Sequence, residues 1–438
     1  MIYDTKCIII YIYKQMNKDD IQLYNKKKQQ WYFSKTGFSV DIQSIGRNSA
    51  TVVLRSKKTE KEIHKGVWLK TDTLEFESGN FTNIYDLYWN KSIEALEPEI
   101  YSEQHPFYLA DYVCNNSSVI AALNGSYFFL IDVEDRNPID YSYNFCIRNG
   151  KIRGLPTSDD PILYVENNNI ISREIEATGT VQIGKKIVEW IGSDSAAIHS
   201  STSPIAILYN SASSKLLKPY DPKTGVRMAI LDNENIHTPK DNEKIDLIIT
   251  ANAMDQLVVS DIKIGGNTHF FDGLFILQID KKNNTYSIGD VVVPLTLDKL
   301  HLKNVTSSIS IGKSVSDPYY FTSERIHSRD ARSIIALDVH GNYHFIVFDG
   351  SKYIPKFKGA SAQDMAKYFP KDKFVWAYFL DGGSSSKIIY KDDHAYNFLA
   401  NELAFKKITL DTFLWDWKRH RKMESCITLK KRLSSHCF

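Results

Sequence analysis

Short apolar runs broken by polar turn clusters dominate the chain, the pattern of strands rather than long helices. Residues 31–73 predict short strands at Trp31-Tyr32-Phe33, Phe38 to Ile42 and Thr51 to Leu54, separated by turn residues such as Gly46 and Asn48. Val119 to Leu123 is a run of apolar residues that stops at Asn124-Gly125, a pair that readily adopts left-handed φ. Arg332 to Asp338 and Tyr343 to Asp349 predict a hairpin across a polar, glycine-containing loop. Phe374 to Leu380 predicts a buried strand that opens into Asp381-Gly382-Gly383-Ser384-Ser385-Ser386. Helical spacing occurs in residues 83–96, stopped by Pro98, and in Ala362, Met365, Ala366 and Phe369, stopped by Pro370. Ser361 and Asp364 stand at capping-box spacing before that second helix. There is no 20–50-residue repeat.

Composition narrows the function classes. The chain has 438 residues, with 54 Lys+Arg against 52 Asp+Glu. Such balance supplies no general pull on nucleic acid or an anionic membrane. The longest apolar runs fall well short of the ~18 residues that a membrane-spanning helix needs. Five scattered cysteines with no Cys-x-x-Cys pair argue against a disulfide scaffold and a cysteine zinc site. The short patch Cys7 to Tyr13 lacks a cleavage signature and is not read as a secretory signal, which makes a reducing, cytoplasmic setting the default. Met16 is an alternative start. The expected organisation is a poorly ordered segment at 1–30, a small β-rich unit at 31–95, a large domain at 96–415 and a basic tail at 416–438. The fold class expected is α/β (α+β), a mixed β-sheet core with few helices.

Glycine is scarce, 21 in the whole chain, so its clusters draw attention. Asp381 at a strand end is placed for acid or base work, and Gly382, Gly383, Ser384 and Ser385 can present N–H and hydroxyl donors to an anion. Arg332 begins an otherwise apolar strand, so its guanidinium needs an acceptor or solvent; phosphate is a natural bidentate partner and a structural ion pair is the alternative. Asn124 carries an amide that can orient a ligand, or simply makes a turn. Asp349-Gly350 reads as a turn, Asp364 as a helix cap before a catalyst. His327 is a further proton donor candidate or an exposed loop residue. No metal-ligand spacing is present, and no cofactor is expected.

These segments, in this order, resemble the phosphodiester glycosidase family. Asn124-Gly125-Ser126-Tyr127-Phe128 is similar to its Asn-Gly-Gly-Phe-Phe, and Arg332 to Asp338 to its Arg-Thr-Ala-Ile-Gly-Ile-Asp. Phe348-Asp349-Gly350 resembles its Val-Asp-Gly, Gly359 to Ala366 its Gly-x-x-x-x-Glu-x-Ala helix, and Leu380 to Ser386 its Leu-Asp-Gly-Gly-Gly-Ser-Ser. The resemblance covers about residues 105–415. Ser126 and Ser384 stand where the family has Gly, and Asp364 where it has Glu. The resemblance implies a hydrolase that cleaves a sugar-1-phosphodiester at the anomeric carbon, with a small-molecule or glycan substrate. It implies an anion cradle from Arg332, Gly382, Gly383, Ser384 and Ser385, with Asn124 and Gly125 beside it. Asp381 is the first acid/base candidate, then Asp349 or Asp364. Two other classes remain at this point: a non-catalytic binder of a sugar phosphate or nucleotide-like ligand, and an interaction protein using the N-terminal unit or tail.

Overall fold

The chain is strand-rich because its aromatic and β-branched residues lie in runs too short for helices and are apolar on both faces. The computed structural model describes residues 58–76, 79–127, 144–194, 206–210, 213, 237–270, 272–297, 305–317, 329–350, 357–391 and 422–432, and strands at 21–25, 30–33, 38–46, 49–56 and 396–399. Contacts divide the chain into two units. One comprises residues 1–99, 106–125 and 312–438; the other comprises 100–105 and 126–311.

In the first unit a six-stranded antiparallel sheet runs in the order Phe374–Phe379, Arg332–Asp338, Asn342–Asp349, Phe81–Asn90, Val67–Glu75, Thr59–His64. The predicted hairpin is its centre, in register Arg332↔Phe348 and Ile334↔Ile346. One face carries Ile84, Ile334, Ile346, Phe348 and Phe379, buried against Ala362 and Met365 of the Ala362–Tyr368 helix and Phe369 just after it. That helix begins with the expected capping box: Ser361 Oγ accepts from Asp364 N, and the Asp364 carboxylate accepts from Ser361 N. A five-stranded sheet orders Tyr396–Leu399, Ile388–Lys391, Val119–Asn124, Lys422–Lys431 and Leu96–Tyr108. A separate four-stranded sheet takes Ile21–Asn25, Gln30–Phe33, Phe38–Gly46 and Ser49–Ser56 in sequence order.

The second unit holds a five-stranded and a seven-stranded sheet. In the larger one the bridge Val258↔Val291 brings the Leu257–Ile264 and Val292–Leu297 edges together around a core that includes Trp190, Leu247, Phe275 and Leu277.

Several expectations need correction. Residues 83–96 are not helical: Phe81–Asn90 is a strand buried along nearly its whole length, and burial of both faces hides the period-two signal. Pro98 does not stop an element but lies inside the Leu96–Tyr108 strand, which stands at a sheet edge where a missing N–H is tolerated. The segment 31–95 is not a separate unit, since Phe81–Asn90 pairs with Asn342–Asp349 in the central sheet. The basic tail contains a buried strand, Lys422–Lys431, paired with Val119–Asn124; buried Met423, Cys426, Ile427 and Leu429 outweigh the flanking charges. The α/β label was loose, while the expected β-sheet core with few helices holds among the described residues. Ile21–Asn25 is a strand inside the segment expected to be poorly ordered, and residues 1–20 lie outside the described residues.

At the hairpin-loop end of the six-stranded sheet sits a buried histidine between two carboxylates. His344 Nδ1 lies 2.8 Å from Asp86 Oδ1 and Nε2 3.4 Å from Asp338 Oδ2. Burial acts to lower its pKa, but Asp86 and Asp338 outweigh burial and hold it above the ordinary value. A raised folded pKa contributes stability that is complete below about pH 6.5 and is lost as pH rises through the folded value. Denaturant midpoints are therefore expected to fall from about pH 6.5 upward. A His344→Gln chain is expected to be less stable at pH 6 and to lack that decline. An unchanged slope in this variant would show that the triad does not set it.

Candidate functional site

The opposite end of the same sheet gathers the residues that the sequence singled out. Ile334 pairs with Phe379, and the register continues one step beyond the strand, with Leu380 N donating to Ser333 O at 2.9 Å. Beyond that pair the ladder slips by one residue, since Gly383 N rather than Gly382 N donates to Ala331 O, and Asp381 follows at the same end of the sheet as Arg332. A Cβ on Gly382 would stand 3.1 Å from Ala331 O and 3.3 Å from Arg332 Nη1, so the guanidinium lies directly against the glycine backbone. Gly383 takes φ +61°, which suits glycine, and turns the chain into the short Gly383–Ser385 3-10 segment.

Asn124 fastens this end from the second sheet. It is 1% exposed. Its Nδ2 donates to Asp381 O at 2.7 Å, and its Oδ1 accepts from Ser333 Oγ at 2.6 Å and Lys387 N at 3.1 Å. Asp381 N in turn donates to Gly125 O at 3.1 Å. The expected role of Asn124 as a direct ligand contact is thus replaced by one of position: a buried amide engaged with three protein groups sets where Asp381 stands. The expected left-handed turn is absent too. Asn124 ends a strand, and Gly125 does not have positive φ among the described residues. Its lack of a side chain serves close approach, because a Cβ would meet Ser425 Oγ and come within 2.8 Å of the Ser425 backbone.

The anion cradle expected from the glycines and serines differs in its parts. Gly382 N donates to Asp381 Oδ1 at 2.9 Å, and Gly383 N donates to Ala331 O at 2.8 Å. Both N–H groups are spent on holding the turn. Ser385 is completely buried and its Oγ has no hydrogen-bond partner among the described residues, so the hydroxyl faces protein rather than solvent. The Ser384 side chain lies outside the described residues, as does His327. Arg332 is left as the charged group of the predicted cradle.

Asp364 and Asp349 are near but differently employed. The Asp364 carboxylate takes Arg329 Nε at 2.9 Å and Nη2 at 3.3 Å, besides Ser361. Burial acts to raise its pKa, yet Arg329 and the Ser361 hydrogen bonds outweigh that and hold it below the ordinary value. Arg329 also lies 4.3 Å from the centre of the Phe76 ring. Asp364 therefore anchors the chain entering Asp330 and Arg332. Asp349 is 3% exposed, in register with Asn83 rather than with Arg332. Alternation along the strand turns it away from the face of Arg332 and Phe348, and burial with the Asp349 charge pushes Tyr85 upward. Gly350 ties that strand end down, since a Cβ there (φ +150°) would come within 2.2 Å of Gly359 N.

Three contributors were missed in the sequence: Asp330, Ser333 and Lys387. The polar-small-polar triplet Asp330-Ala331-Arg332 at a strand start was the signal for the first. Among the described residues no group of three or more His, Cys, Asp or Glu side chains is placed to hold a metal, and no helix is long and apolar enough to cross a membrane.

The phosphodiester glycosidase family, to which the motifs pointed, is the family whose model matches the chain, over residues 228–409. That span contains Arg332, Asp349, Asp364 and Asp381 but not Asn124, and is less than half of the chain. No curated protein matches the sequence. Among solved structures, a hypothetical protein from Synechocystis is similar at a TM-score of 0.51 and 10% identity, covering 92% of this chain and 70% of its own. That likeness shows a shared fold. The zebrafish N-acetylglucosamine-1-phosphodiester alpha-N-acetylglucosaminidase catalytic domain aligns at 0.36 and 10% identity, over 86% of this chain and 88% of its own.

Proposed function

We propose that the chain hydrolyses a sugar-1-phosphodiester, breaking the bond between the anomeric carbon and the phosphate oxygen. The observation that supports this reading is the Arg332 guanidinium standing against the backbone of Gly382, next in the chain to Asp381, at a glycine pair with no side chains of its own. A phosphodiester leaves with its charge delocalised, so it calls for a cation more than for strong protonation. Arg332 supplies the cation, and its planar fork matches two phosphate oxygens. The sugar left behind develops oxocarbenium character, which a neighbouring carboxylate stabilises; Asp381 has that position. Asn124 and Gly125 hold the Asp381 backbone, Ser333 holds Asn124, and Asp364 pairs with Arg329 three residues before Arg332. The family description, phosphodiester glycosidase, supports the same class of bond.

The test is release of free sugar from N-acetylglucosamine 1-(methyl phosphate) and from a UDP-sugar by the full chain. Turnover is expected, with Arg332→Ala lowering kcat/KM about 10²–10³-fold, mostly as weaker binding. Saturable binding of either probe with no sugar released would overturn the hydrolytic reading in favour of a ligand-binding module.

A further inference from the structure

We propose that Asp330 is the second carboxylate of this site, the group that takes the proton of the attacking water. The inference rests on the hydrolytic reading above. Ala331 is completely buried, while Asp330 and Arg332 on either side of it are half-buried. That is strand alternation, and it puts Asp330 on the face of Arg332. Asp330 Oδ1 accepts the Ala331 N–H at 3.0 Å. Its Oδ2 lies 3.8 Å from where a Cβ on Gly383 would stand. Asp330 therefore stands beside Gly383, while Asp381 accepts the Gly382 N–H, and the two carboxylates flank the glycine pair.

Asp330 is also fixed more tightly than a loop aspartate would be. Its backbone is paired in both directions with Ala360, with Ala360 N donating to Asp330 O at 3.0 Å. A Cβ on Gly359 (φ +78°) would come within 2.2 Å of Asp330 O, so glycine there lets the two chains touch. The preceding residue is held by the Arg329–Asp364 ion pair. By contrast, Asp364 is consumed by that pair and by the helix cap, and Asp349 faces away. Asp330 alone among these three has a carboxylate oxygen directed along the glycine turn.

The step balances without a co-reactant beyond water. The water oxygen bonds to the anomeric carbon as the bond to the phosphate oxygen breaks, and that electron pair leaves with the phosphate. One water proton passes to the Asp330 carboxylate and the other stays on the new hydroxyl. Asp330 then returns its proton to solvent. The products are the free sugar and a phosphate monoester.

Azide separates this role from a structural one, because it attacks carbon without losing a proton. The full chain and its Asp330→Asn and Asp381→Asn variants are assayed on N-acetylglucosamine 1-(methyl phosphate), with and without sodium azide. For Asp330→Asn, kcat is expected to fall about 10²–10⁴-fold with KM little changed, the size of a lost general base. The Asn carboxamide oxygen can still accept the Ala331 N–H, so circular dichroism is expected to match the parent. Azide is expected to restore turnover at least ~10-fold in this variant, with glycosyl azide as product, and to leave Asp381→Asn unrescued. Parental kcat in Asp330→Asn, or a folded, inactive variant that yields no glycosyl azide, overturns the proposal. An active parent with such a result discards Asp330 alone, whereas an inactive parent discards the hydrolytic reading and this inference with it.

Discussion

Asp381→Asn lowers kcat for sugar release about 10³-fold while leaving the fold and KM nearly unchanged. The expectation follows from which parts of Asp381 do what. Its backbone is held by Asn124 Nδ2 and Gly125 O, and neither contact depends on the carboxylate. Its Oδ1 accepts from Gly382 N, a bond that an Asn oxygen reproduces. What the substitution removes is negative charge beside the carbon that becomes positive in the transition state. Loss of one preorganised electrostatic partner costs about 10²–10³ in kcat, and a full charge stands at the upper end. Asp381→Glu is expected to fall between the two, because a displacement near 1 Å costs about 10². Steady-state kcat and KM on a sugar-1-phosphodiester, with circular dichroism of each variant, check this. A rise in KM with kcat preserved would instead make Asp381 a ground-state binding residue.

Asn124→Ala is expected to be the most damaging substitution for stability, at about 4 kcal/mol. The side chain is buried and joins three groups: the Asp381 carbonyl, the Ser333 hydroxyl and the Lys387 N–H. Truncation leaves each without that partner in a water-poor setting, and a buried polar group left unpaired costs about 1–3 kcal/mol. Activity falls as well, because the Asp381 carbonyl loses its anchor and the Gly382-Gly383 turn is free to shift. Urea denaturation followed by tryptophan fluorescence measures the first effect and sugar release the second. A variant as stable as the parent would show that the three bonds contribute little.

Much of this end of the molecule was legible in the sequence, for identifiable reasons. The Arg332–Asp338 and Asn342–Asp349 hairpin has β-branched and aromatic runs joined by a Val-His-Gly loop, and such a pattern has few other solutions. The Ala362–Tyr368 helix carries its own start signal in Ser361 and Asp364. The same Asp364 illustrates a limit. Its motif position is plain, yet its partner Arg329 is 35 residues away and only the fold brings them together. Asn124 and Gly125 were visible as a punctuation mark, but the reason was not. They are a crossing point of two sheets rather than a turn, and the neighbour Ser425 lies 300 residues along the chain. The glycine turn at Asp381-Gly382-Gly383 was read as a nest of free N–H donors. Whether such donors are free depends on what they already bind, here Asp381 Oδ1 and Ala331 O, and spacing does not encode that. Phe81–Asn90 and Lys422–Lys431 were misread for a related reason: a strand buried on both faces has no alternation, and flanking charge says little about a strand's interior.

The central claim is that the chain cleaves a sugar-1-phosphodiester between the anomeric carbon and the phosphate oxygen. Turnover of N-acetylglucosamine 1-(methyl phosphate) in ¹⁸O-water, with mass spectrometry of both products, tests it most directly. The account predicts that a product quenched at early turnover carries the label on the sugar's anomeric hydroxyl and none on methyl phosphate. Label in the phosphate product would place the attack on phosphorus and contradict the account.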